Sequence, residues 1–202
     1  MAQHHYFLNV EHKDSDYFRF TDYFLNVPYT FNSCTDIFSK DTIDYGTSVL
    51  LKTMLDNLTL SGNVLDVGCG YGVIGIILKK YYPQIECDLI DINKTAVLLS
   101  KQNAELNSVE VNVFESNLYA VLDKKYNHIV TNPPIKAGKE NLFKVVSGGF
   151  EVLKPNGTIT LVIKKKHGME SLKNHMESIF GNVEILKRDS GYYILHSVKK
   201  KV

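Results

Sequence analysis

The chain has 202 residues, 44% hydrophobic and 22% charged, and 23 Lys+Arg against 22 Asp+Glu leave a formal net charge of +1. That length suits one domain burying roughly 70% of the surface its unfolded chain exposes, so it needs no disulfide or metal staple, and the composition excludes a disordered or fibrous chain. No apolar run approaches the roughly 20 residues of a membrane-spanning helix, the start Met1-Ala2-Gln3-His4-His5 lacks a signal-peptide core, and the balanced charge argues against a nonspecific nucleic-acid-binding coat.

From the N-terminus, residues 17–21 and 23–32 alternate in character and read as strands, the second reduced to an edge or bulged strand by Pro28. Leu50, Met54 and Leu58, flanked by Leu51 and Leu55, form the apolar stripe of a helix that starts near Asp44. Beyond Ser61, strand and helix alternate. Strands are predicted at 64–67, 85–90, 109–114, 128–131 and 158–163, with helices at about 72–82, 94–106, 140–153 and 170–180. Lys154-Pro155-Asn156-Gly157 is a turn signal. Residues 183–186 and 192–198 read as an antiparallel pair around Ser190-Gly191, closing one edge. The alternation predicts an α/β protein, a mostly parallel sheet with helices on both faces, and such sheets bind ligands at the carboxyl ends of their strands.

Cys34, Cys69 and Cys87 show no CxxC spacing, and the seven histidines lack ligand spacing. No metal is expected, and the free thiols point to a reduced, cytoplasmic setting.

Asp66-Val67-Gly68-Cys69-Gly70-Tyr71-Gly72 falls where the first parallel strand meets its helix. Glycines at alternate positions permit positive φ and close approach of a ligand, which the helix N-terminus then faces. Gly70-x-Gly72-x-x-Gly75, with Asp91 at the next strand end, also matches the dinucleotide fingerprint. Asp66 weighs against a pyrophosphate by like charge and favours a ligand bearing ammonium or sulfonium. Asp91 suits the ribose of either ligand. The loop therefore selects a nucleoside-like cofactor without deciding which.

Asn132-Pro133-Pro134-Ile135 ends the fourth parallel strand. The prolines lack donors and fix φ near −65°, and Pro133 makes Asn132 extended. The Asn132 side-chain oxygen and the Pro133 carbonyl become convergent acceptors, suited to the two hydrogens of a planar NH₂. With these motifs in this strand order, the chain resembles the class I S-adenosylmethionine-dependent methyltransferases. More narrowly, it resembles the guanine-N2 methyltransferases of small-subunit ribosomal RNA, especially small single-domain bacterial members. The marks are Phe38-Ser39-Lys40, Asp44-Tyr45-Gly46-Thr47, the glycine loop, Asp91, Ser116-Asn117 and the run from Asn132 to Lys139.

The resemblance implies a Rossmann-like, seven-stranded, mostly parallel sheet with an antiparallel edge strand. It also implies a short N-terminal β extension over 1–37 and a methyltransferase domain over 38–202. It implies cofactor contacts at Phe38, Gly46, Thr47, Asp66, Gly68, Gly70, Gly72, Asp91, Ile92, Ser116, Asn117 and Asn132. Asn132, Pro133, Pro134 and Ile135 form the implied catalytic corner, and S-adenosylhomocysteine is the implied product. Ile135 departs from the aromatic residue usual at that position, which removes a stacking surface worth ~1–3 kcal/mol. Lys136, Lys139, Lys164, Lys165 and Lys166 are candidate phosphate contacts for ribosomal RNA or a ribosomal subunit. Cys69 reads as a small filler and Tyr192-Tyr193 as packing residues. The alternatives weighed are a protein glutamine-amide methyltransferase, a nicotinamide-dependent reductase and a non-catalytic RNA-binding module.

Overall fold

In the computed structural model, which describes residues 16–35, 37, 41–134 and 138–200, strand and helix alternate as the pattern predicts. The elements are β1 (Tyr17–Phe24), β2 (Val27–Cys34), α1 (Tyr45–Asn57), β3 (Asn63–Val67), α2 (Val73–Tyr81), β4 (Glu86–Asp91) and α3 (Lys94–Leu106). They continue with β5 (Asn112–Glu115), β6 (Tyr126–Thr131), α4 (Lys139–Val152), β7 (Leu153–Lys164), α5 (Met169–Phe180), β8 (Glu184–Asp189) and β9 (Tyr192–Val198). Seven strands form one sheet in the order β5-β4-β3-β6-β7-β9-β8. Strands β3 to β7 run parallel, whereas β9 is antiparallel to both β7 and β8, so an antiparallel pair closes that edge. The chain steps from β3 outward to β4 and β5, then returns to the other side of β3 with β6. Loops leaving β3 and β6 therefore diverge and open a crevice at their carboxyl ends.

Period-two alternation assigns the core. Val64, Val130, Val162 and Ile194 face the layer of α1, α2 and α3, and Leu65, Ile129, Leu161 and Leu195 face α4 and α5. Both faces are covered, which is why these strands are apolar throughout. Cys34, Cys69 and Cys87 are buried in the first layer.

The hairpin β1–β2 joins that layer through Phe24, Tyr29 and Phe31. Its open edge is held by two side chains one helical turn apart on α3. Asn103 accepts from the Asn32 N–H at 2.7 Å and donates to its carbonyl at 2.9 Å. Asn107 does the same to Thr30 at 3.1 and 2.7 Å. These amides replace a neighbouring strand.

Two local readings change. The second strand, expected over 23–32, is interrupted because Leu25 (φ 49°) and Asn26 (φ 63°) form the hairpin turn. Two positive φ values match the twist of a two-residue hairpin, and leucine does not advertise them. The Lys154–Gly157 signal does not end a helix in a free loop: β7 already begins at Leu153. The turn chemistry appears instead at Asn156 (φ 64°), beside a register irregularity against β6. Among the described residues, no helix is long and apolar enough to cross a membrane, and no group of three or more His, Cys, Asp or Glu is placed to hold a metal ion.

Candidate active site

The carboxyl ends of β3, β4 and β6 surround a cleft of about 580 Å³, its open mouth included. Its walls are Val67 and Gly68 from β3, Ile90, Asp91 and Ile92 from β4, Ser116 to Leu118 after β5, and Thr131, Pro133 and Pro134 after β6. Asn141, Leu142 and Val145 of α4 close the remaining side. The result is an apolar slot with a few polar groups at its rim, the usual character of a small-molecule site.

Asp91 is nearly fully buried, and the backbone holds its carboxylate. Oδ2 accepts from the Gly70 N–H at 2.9 Å and Oδ1 from the Asn93 N–H at 2.9 Å. Burial raises its pKa, and those amides, with that of Ile92, oppose the rise. Three amide bonds leave about one of the carboxylate's four acceptor sites for a ligand hydroxyl. The glycine loop is tied to β4 by Gly68 and Cys69 N–H bonds to the Ile90 carbonyl, at 2.9 and 3.0 Å. Gly68 has φ 69°, and a Cβ there would point toward Pro134 at 3.7 Å, into the throat between loop and diproline corner. That spacing is ordinary contact, and it is the positive φ that favours glycine here.

Several expected contacts lie elsewhere. Asp66 is fully buried and does not line the cleft; Oδ2 accepts from the Gly75 N–H at 3.0 Å and tethers the first turn of α2. Burial lifts its pKa to about 7, opposed by that amide and reinforced by Asp91. The like-charge argument against a pyrophosphate therefore does not hold for this residue, because burial removes its oxygens from the cleft. Gly72 (φ 93°) is the cap of α2, and a Cβ there would crowd Ser100 and Ile76 at 3.0 Å. Gly46 lies under Tyr192, whose ring atoms would stand 2.6 Å from an added Cβ. Thr47 contacts Asn132 rather than the cleft. Ile92, Ser116 and Asn117 do line it. Phe38, Ile135 and Lys136 lie outside the described residues.

Asn132 stands half-buried at the cleft margin, between Thr131 and Pro133 of the wall. Its Nδ2 donates to Thr47 Oγ1 at 2.9 Å and to Asp44 Oδ2 at 3.2 Å. Asp44 entered the sequence reading only at a helix start and within the Asp44-Tyr45-Gly46-Thr47 mark, and its bond to Asn132 was not expected. That reading also missed the α4 wall and Leu118, whose φ of 50° turns the chain behind Ser116. Of the lysines, Lys139 lies over the Phe143 ring at 5.3 Å and Lys164 over Tyr192 at 4.7 Å, while Lys165 and Lys166 are exposed in a 3-10 turn beyond β7. Burial pushes the Cys69 thiol up, as befits a filler.

Known proteins resemble this chain in sequence and fold. The family model "Methyltransferase small domain" matches residues 28–196. "Uncharacterized protein YbxB" of Bacillus subtilis is 36% identical over 177 residues, covering 86% of this chain and 88% of that protein. "Ribosomal RNA small subunit methyltransferase C" of Hahella chejuensis is 36% identical over 168 residues, covering 81% of this chain but 47% of the relative. The chain thus spans about half the length of the relatives bearing that name. Among solved structures, the Thermus thermophilus 16S rRNA N2 G1207 methyltransferase, in complex with AdoMet and guanosine, superposes with a TM-score of 0.82 at 26% identity. That match covers 91% of this chain and 51% of the other. The family match covers most of the chain and the backbone superposes on a solved methyltransferase, so the chain belongs to the methyltransferase small domain family, with its Rossmann-like methyltransferase fold.

Proposed function

We propose that this protein transfers a methyl group from S-adenosylmethionine to the exocyclic N2 amine of a guanine in small-subunit ribosomal RNA. The observation that carries the reading is the acceptor corner at Asn132-Pro133 standing at the margin of a nucleoside-sized slot. The names of the relatives and the AdoMet and guanosine bound by the Thermus thermophilus neighbour support it.

The slot fits the cofactor. Asp91 offers its remaining acceptor site to a ribose diol, the apolar faces of Ile90, Ile92, Leu118, Leu142 and Val145 suit a purine, and Ser116 and Asn117 supply a polar edge. The glycine throat at Gly68 leaves room that a side chain would fill. When bound, the cofactor supplies a methyl on a sulfonium, an electrophile that needs no metal or covalent enzyme intermediate. The protein's task is then positioning. Asn132 Oδ1 and the Pro133 carbonyl accept the two amine hydrogens, favour a pyramidal nitrogen and raise its electron density, an effect larger in the transition state than in the ground state. The proton is lost to water after transfer, so no general base is required. A guanine in structured RNA leaves its stack to reach the corner, and Lys139, Lys164, Lys165 and Lys166 are proposed to meet its flanking phosphates.

The test is to incubate the protein with labelled cofactor and small-subunit RNA or subunits, then digest to nucleosides. The expected product is N2-methylguanosine. Label recovered on another nucleoside, or on a protein glutamine with release factor as substrate, overturns the reading.

A further inference from the structure

We infer that Asp44 and Thr47, at the start of α1, are positioning residues that make the Asn132 corner an acceptor only, and so set which chemical group it can receive. The inference deepens the function proposed above and rests on it. An asparagine amide can turn over and present either an oxygen that accepts or an NH₂ that donates. Here the two hydrogens of Nδ2 are committed, one to Thr47 Oγ1 at 2.9 Å and one to Asp44 Oδ2 at 3.2 Å. Turned over, the amide oxygen would face a carboxylate oxygen with no proton between them. A hydroxyl alone could not decide the matter, because it donates as readily as it accepts. Asp44 sets the polarity and Thr47 adds the second bond.

Asp44 is fixed in turn. The same Oδ2 accepts from the Thr47 N–H at 2.9 Å, making Asp44 the cap of α1. Thr47 is buried, 5% exposed, so its hydroxyl has little water to exchange with. Among the described residues of the corner, the prolines carry no N–H and the Asn132 amide is the side-chain donor, which α1 sequesters. What remains for a substrate is Oδ1 together with the Pro133 carbonyl. Such a corner receives an NH₂ and rejects a carbonyl or an unprotonated ring nitrogen, whose lone pairs would meet lone pairs. A helix cap 88 residues upstream thus determines the chemistry of the target site.

The test uses the full chain with Asp44→Gly, which removes the carboxylate outright, Thr47→Val and Thr47→Ser, and three readouts. The first needs no substrate: hydrogen exchange of the Asn132 side-chain NH₂ by NMR, identified by its loss in Asn132→Ala. Slow exchange in the wild type that becomes fast in Thr47→Val supports the clamp, and fast exchange in the wild type overturns it. The second is methylation of RNA. Asp44→Gly is expected to lower kcat at least about tenfold, since misplacing a reacting group by about 1 Å costs up to 10²-fold. Thr47→Val should lower it severalfold, and Thr47→Ser should restore it. The third is affinity for S-adenosylhomocysteine, expected to stay within about threefold, with little change in melting temperature because glycine at a helix cap is tolerated nearly as well as aspartate. Unchanged kcat in both Asp44→Gly and Thr47→Val, or a loss explained by cofactor affinity, overturns the inference. A wild type that methylates no RNA overturns the proposed function instead, and the exchange measurement still decides the clamp.

Discussion

The two walls of the cleft are built by different means. On the β4 side, main-chain amides do the holding: Gly70 and Asn93 N–H groups grip Asp91, and Gly68 and Cys69 bond to Ile90. On the β6 side a side chain is held by other side chains, with Asn132 bonded to Asp44 and Thr47 across the sheet end. The backbone-built wall is pre-organised by local turns and suits a group every catalytic cycle must bind. The side-chain wall depends on α1, packed over β7 and β9, reaching the end of β6, and it sets the polarity presented to a substrate.

If that division is right, the walls should fail separately. The largest effect is expected for Asn132→Ala, which removes an acceptor used in the transition state. Methyl transfer should fall by about 10²-fold or more while affinity for S-adenosylhomocysteine changes by less than about threefold. Single-turnover rates and calorimetric titration of the same preparation check this, and a joint loss of rate and affinity would merge the two walls. Asp91→Ala should do the reverse. Losing hydrogen bonds to a charged acceptor is expected to weaken cofactor binding by roughly 10- to 100-fold, with the rate at saturating cofactor nearly kept.

Gly75→Ala tests how far the backbone wall depends on close packing of α2. An added Cβ would stand 2.5 Å from Leu89 Cδ1 and 2.7 Å from its Cγ, so helix and strand must part. A loss of about 1–3 kcal/mol in unfolding free energy is expected, accompanied by weaker cofactor binding, because Gly75 also donates to Asp66 beneath the loop. Loss of stability without loss of affinity would separate α2 from the wall.

The smallest effect lies away from both walls. His128 bonds Thr158 Oγ1 at 2.9 Å, and burial, with His196 nearby, lowers its pKa from 6.5 to about 4. Since the folded state disfavours the charged ring, its contribution to stability is full above pH 6.5 and is lost as pH falls toward 4. Asp66, raised to about 7, has the opposite slope, losing stability as pH rises through that value. His128→Gln should therefore gain in stability relative to the wild type as pH falls from 6.5 to 4 in denaturant titrations, a difference in which the Asp66 contribution, common to both proteins, cancels. An unchanged slope would mean that the ring already charges freely in the fold.

The same contrast explains what the amino-acid sequence disclosed. The backbone wall is local: glycines at fixed spacing, an acid at the next strand end and period-two apolar strands all lie within short windows. Gly68 and Asp91 were legible for that reason, and so was the diproline corner, whose rigidity is covalent. Contacts between distant segments were not legible. Asp44 belongs to a family mark that does not name its partner, Leu25 gives no sign of a left-handed turn, and Asn103 and Asn107 look like polar helix surface until the hairpin edge arrives beside them. Asp66 was misjudged because a strand-end acid does not reveal whether its carboxylate points to ligand or to core.

The central claim concerns where an amine sits, and a crystal structure with S-adenosylhomocysteine and guanosine tests it most directly. The account predicts the guanine N2 within hydrogen-bond distance of both Asn132 Oδ1 and the Pro133 carbonyl, with Asn132 Nδ2 still on Asp44 and Thr47. A guanine whose amine points away from that corner, or an Asn132 amide turned to donate, would contradict it.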